Sequence, residues 1–195
     1  VTLTGNNPPL LGTPGLFLYY NDDVLTASPS DADSIGLISF KVDFTDPSKS
    51  LVKTEKNFAV AAFNSIVCNS RNCASSPRPQ GYDVVSNRIM HKPGFRNFGT
   101  HQSIVANHTV DVNGNGLSGI RWYELRNTTG WNLYQQGSYA PQELSNCNPN
   151  NLRHRFMGSI LQNGKGQVAL AYNFSSKNEF ASIAFTGRNQ NDPFN

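Results

Sequence analysis

The chain has 195 residues with 16 basic against 13 acidic side chains, a net charge of +3, only 15% charged residues, 11% aromatics, 16 glycines and 11 prolines. That length supports one sizeable core, and the balance is that of a turn-rich β protein. So small a basic excess, with no basic stripe, argues against nucleic acid as a partner, and no apolar run approaches the ~18 residues of a membrane span.

In chain order, residues 1–14 are polar and proline-rich and read as a connection. Residues 15–20 carry the first apolar strand, LFLYY, which ends at Asn21-Asp22-Asp23. A Pro/Asp/Ser turn at 28–34 precedes strands at 35–44 and 50–60, with Asp46-Pro47 at the corner between them. Residues 59–63 form a short apolar run, and 64–80 a loop holding Cys68 and Cys73.

The densest strand signal lies at 88–141. It divides into segments 88–97, 101–111, 119–126 and 131–140, separated by corners rich in glycine and asparagine. Asn113-Gly114 and Asn115-Gly116 tolerate positive φ and let the flanking strands pair as a hairpin. Alternation of apolar and polar residues is imperfect here, which fits a sheet covered on both faces. A polar insertion at 142–152 is followed by strands at 153–162, 167–175 and 181–187, then a polar tail.

The rhythm gives three sets of strands within one β domain: 15–87, 88–141 and 142–195. The expectation is an all-β, β-propeller-like array of antiparallel blades. Three blades are too few to close a ring, since propellers have about 4–8, so the remainder is expected from a second polypeptide or from self-association.

RNFGTHQSIVANHTVDVNG, GIRWYELR, HRFMGSI, VALAYNFSS and the closing FTGR resemble the C-terminal part of a family of large exported proteins with propeller-like β repeats and no assigned reaction. YYNDD and the cysteine loop extend the resemblance over nearly the whole chain. It implies a partial or processed product that completes its ring with other chains.

Export is also suggested by three N-x-[ST] sequons, at Asn107, Asn127 and Asn173, of which Asn127 lies in a corner open to a glycan. Cys68 and Cys73 are close enough for a local disulfide, leaving Cys147 as a free thiol or for an external partner. Asp111, Asn113 and Asn115 copy the first half of an EF-hand-like loop and make calcium the one cofactor to consider. The twelfth position is Trp122, however, and the carboxylate comes only at Glu124, so a plain hairpin corner is preferred.

Arg96, His101, Arg121, His154 and Arg155 are candidates to gather at the mouth of a propeller axis, with Asp22 and Asp23 as acidic partners. Asp22, Asp23, Arg96, His101 and Arg155 would be its catalytic set if the site processed glycosides. The plainer reading has the arginines tying down loops. Three functions follow in order of preference: an exported structural or binding protein acting through surface recognition or self-assembly, a glycoside-processing hydrolase, and a carbohydrate-binding lectin.

Overall fold

A computed structural model describes residues 1–25, 32–67, 72–90, 92–141 and 152–193. The described residues form eleven strands, one turn of 3₁₀ helix at Pro47–Lys49 and no α-helix. No helix among them is long and apolar enough to cross a membrane.

The chain is all-β, and each of its three sheets contains a run of consecutive antiparallel strands. The first is β2 (Gly15–Asn21), β3 (Ser34–Lys41) and β4 (Leu51–Ala59). The second holds β5 (Gly94–Asn97), β6 (Gln102–Asp111), β7 (Ser118–Asn127) and β8 (Trp131–Tyr139), with β1 (Thr2–Leu3) added beside β5. The third is β9 (His154–Gln162), β10 (Val168–Ser176) and β11 (Glu179–Arg188).

Side chains of successive strand residues point to opposite faces. From β6 and β7, Ile104, Tyr123 and Leu125 pack on Leu16, Ile35, Leu37 and Phe58 of the first sheet. Their neighbours Val105, Ile120 and Trp122 pack the other way, on Ile160, Val168, Leu170 and Tyr172 of the third sheet. The second sheet is therefore the middle of three layers. This is why β6 is buried at every position but the last, and why its sequence shows no clean alternation.

Two expectations change. Strand pairing begins at Gly94 rather than at 88, because Pro93 has no amide for the ladder and Lys92 sits at φ 58°. Residues 1–14 are not wholly a connection: Thr2 and Leu3 pair in parallel with Gly94 and Phe95. The Val1 ammonium donates to Leu16 O at 3.0 Å, which ties the N-terminal segment to the first sheet as well.

The hairpin corner between β6 and β7 forms where its dipeptides place it. Gly114 and Gly116 take φ 71° and 83°, backbone that a side chain would strain.

Candidate functional site

Polar side chains are buried on both faces of the middle sheet. Toward the first sheet, the His108 ring stacks on Tyr20 at 4.6 Å between centroids and meets Phe63 edge-on at 4.8 Å. Its Nε2 lies 2.9 Å from the Tyr123 hydroxyl. Burial, and then the nearby Arg121 charge, push the His108 pKa down to about 3. Burial also raises the Tyr123 hydroxyl well above its usual range. Arg121 is tied to Ser138 Oγ at 3.1 Å, to Ala61 O at 3.0 Å and to Gln136 Oε1.

Asp22 and Asp33 flank this layer, both buried. Asp22 Oδ2 accepts from the Ser65 amide at 2.6 Å and Oδ1 from Val24 at 2.9 Å. Asp33 accepts from the amides of Asp23, at 2.9 Å, and Phe63. These bonds pin the loops leaving β2 and β4. One oxygen from each of Asp22, Asp23 and Asp33 lies within 4.8 Å of the others, a donor set that suits a hard cation.

Toward the third sheet the centre of the polar layer is Glu124, fully buried. Its carboxylate accepts from Arg126 Nε at 2.6 Å, Ser103 Oγ at 3.1 Å, Gln162 Nε2 at 3.2 Å and Gln135 Nε2. Arg126 in turn lies 3.4 Å over the Tyr134 ring. A carboxylate with four donors and no exposed surface is a tie between layers, not a base open to substrate.

Two cavities lie at the margins of this layer. One, about 230 Å³, is bordered by Phe98, His101, Arg126, Lys165 and Gln190. Burial, then the charge of Arg126, lowers the His101 pKa. The other, about 340 Å³, is lined by aliphatic side chains together with Trp122, Tyr139, Thr186, Arg188 and Asp192. The cavity at Trp122 is within the size range of small-ligand sites.

The proposed catalytic set does not gather. Asp22 and Asp23 belong with the first sheet, whereas Arg155 packs toward Tyr139 on the opposite face of the middle sheet and donates to Arg153 O and Pro141 O. Arg96 donates to Gln162 O at 2.9 Å, and His101 lines the smaller cavity. His154 is buried and bonded to Ser118, its pKa lowered by burial. The arginines thus mostly hold backbone carbonyls.

Asp111 Oδ1 accepts from the amides of Asn113 and Gly114, its Oδ2 from Gly116, and Asn113 Oδ1 from Asn115 and Leu117. The candidate calcium loop is a hairpin corner capped by its own side chains.

Asn107 is 1% exposed in the interior of β6, so as a glycan acceptor it is corrected: the folded chain offers no path to its amide. Asn127 stands half-buried at the β7–β8 corner, and Asn173 half-buried on β10. Cys73 is disulfide-bonded. Cys68 and Cys147 lie outside the described residues, and with them the expected pairing.

Sequence reasoning missed Asp33 and Arg188, and named Glu124 only as an out-of-register calcium ligand. The spacing Trp122, Glu124, Arg126 places all three on one strand face and was the available signal for Glu124. Nothing local marks Asp33, bonded to the Asp23 and Phe63 amides, or Arg188, whose place over the Trp122 ring comes from a distant strand. No family model, curated protein or solved structure matches the chain.

Proposed function

We propose that this chain is an exported, propeller-like binding or structural protein that works by assembling with a second copy of itself. The observation that carries this reading is the apolar outer face on both end sheets. In the first sheet Phe17 alternates with the core residues Leu16 and Leu18 and so points outward, 54% exposed; Val52, across from the half-buried Phe40, is 65% exposed. In the third, Ile183 and Phe185 flank the inward Ala184 and are 78% and 86% exposed.

A middle sheet covered on both faces is the stable arrangement here, and each end sheet lacks one cover among the described residues. Consecutive antiparallel sheets stacked in chain order also suit neighbouring propeller blades. Contact of the last face of one copy with the first face of another, made twice, joins two sets of three sheets into six, within the roughly 4–8 of a closed ring. The disulfide at Cys73 supports an oxidising compartment.

Turnover is the weaker reading, because the candidate acids and bases lie on opposite sides of the middle sheet. Light scattering tests the proposal. The expected mass is twice the 21.4 kDa of the chain, and Phe185→Glu is expected to give a folded monomer. A wild-type protein that stays monomeric at high concentration overturns it.

A further inference from the structure

The larger cavity between the middle and third sheets has a composition that specifies a ligand. Its walls are aliphatic and aromatic, with Leu170 on one side and Trp122 and Tyr139 on the other. At its border stands the one guanidinium that lines it among the described residues, Arg188, whose Cζ lies 5.3 Å from the Trp122 ring centroid. Arg188 Nη2 donates to the carbonyls of Asp192 at 2.9 Å and Pro193 at 2.8 Å, and these two bonds fix the plane of the fork. Nε and Nη1 make no hydrogen bond among the described residues, and no carboxylate forms an ion pair with this arginine there. Asp192 also lines the cavity, but its carboxylate accepts from the Asn189 amide at 2.7 Å instead.

A pre-oriented guanidinium with open N–H groups beside an apolar cavity matches a carboxylate, through one charge-assisted bond, better than any neutral group. The volume of about 340 Å³ admits a ring with a short chain. A free sugar would leave its hydroxyls against aliphatic walls without partners, which is costly.

We infer that this cavity is a binding site for a small ring-bearing carboxylate, its ring between Trp122, Tyr139 and Leu170 and its carboxylate accepting from one open N–H group of Arg188. The inference is independent of assembly, because the cavity faces the middle sheet of its own chain, away from the outer faces.

The test uses the wild-type protein with 3-phenylpropionate and its uncharged counterpart 3-phenylpropanamide, read by tryptophan fluorescence and calorimetry. The chain has two tryptophans, so Trp122→Phe identifies the signal at the site, with Trp131 as the internal control. The acid is expected to bind about tenfold or more tightly than the amide, as a charge-assisted bond implies. Arg188→Gln should abolish that preference while leaving the melting curve in place. Arg188→Lys, which keeps the charge but loses the fixed donor plane, should retain part of it, and the acid–amide comparison needs no variant at all. Equal affinity for acid and amide, no binding of either up to its solubility limit, or a response confined to Trp131 overturns the inference.

Discussion

His108 has a titration that the fold makes into a stability switch. In the folded chain it takes a proton only below about pH 3, whereas in the unfolded chain it does so near 6.5. Between those values the unfolded state binds more protons. The contribution is therefore complete above about pH 6.5 and is lost as the pH falls toward 3. By pH 4.5 the loss is on the order of 3 kcal/mol, a large part of the stability of a domain this size. Tyr20, Phe63 and Tyr123 enclose the ring, and Arg121 is the nearby charge. Urea midpoints at pH 7 and pH 4.5 should differ accordingly in the wild type and much less in His108→Phe. His101 and His154 are shifted in the same direction and leave a residual slope. A slope unchanged by the substitution would assign the acid sensitivity elsewhere.

The sequons sort by the same residue-scale argument of access. Expressed in a glycosylating host, the protein should carry glycan at Asn127 and none at Asn107, as read by peptide mapping. Asn173 pairs across from Ile183 on the outer face of the third sheet, so a glycan there would stand where assembly is proposed. Its occupancy and dimer formation should exclude one another.

Among the strands, β9 is the one whose shape is set by its neighbour. It crosses the middle sheet so closely that a Cβ on Gly158 would lie 2.4 Å from Asn107 Oδ1 and 3.2 Å from Ile120 Cγ2. The preceding Met157 is held at φ 51°, and the pairing with β10 shifts register between Ala171 and Asn173. Both distortions let the strand follow that approach. Gly158→Ala is expected to destabilise by about 1–3 kcal/mol through overpacking, measured by urea denaturation. Asn107→Ala should recover part of the loss in the double variant, because it removes the first atom in the way. Simple additivity would mean that the contact is not what restricts position 158.

This element also marks the limit of what the sequence says. Strands β2 to β4 and β6 to β11 are legible, because β-branched and aromatic runs alternate with glycine and asparagine corners, and the loss of alternation over 88–141 signals a sheet covered twice, which holds for β6 and β7 but not for β8, where only Gly137 is buried. β1 is not legible, since two residues acquire strand character only from the free edge of β5. The buried carboxylate Glu124 reads as an out-of-register calcium ligand until Ser103, Gln135 and Gln162 are brought to it from three other strands. Asp22 attracts attention as part of an acidic pair, yet in place it accepts from the amide of Ser65, 43 residues away. Local pattern specifies strands; which polar groups are satisfied depends on contacts between sheets.

At the scale of the whole molecule, two kinds of dimer bury the exposed last face and they predict different behaviour. A ring made by last face on first face needs both faces in each copy. A two-fold dimer made by last face on last face uses only Ile183 and Phe185 and is indifferent to Phe17. A charge placed in either apolar face leaves a buried, unpaired carboxylate and should break the contact it touches. In the ring, therefore, Phe17→Glu and Phe185→Glu each abolish dimers when alone. Mixed, they restore one: the intact last face of the Phe17→Glu chain meets the intact first face of the Phe185→Glu chain, while the second contact stays broken. The mixed species is thus an open dimer, weaker than wild type and held by one contact rather than two. In the last-on-last arrangement Phe17→Glu dimerises unaided, and mixing adds nothing. Light scattering on the two variants, separately and mixed, distinguishes these outcomes. The ring requires that association appear only in the mixture.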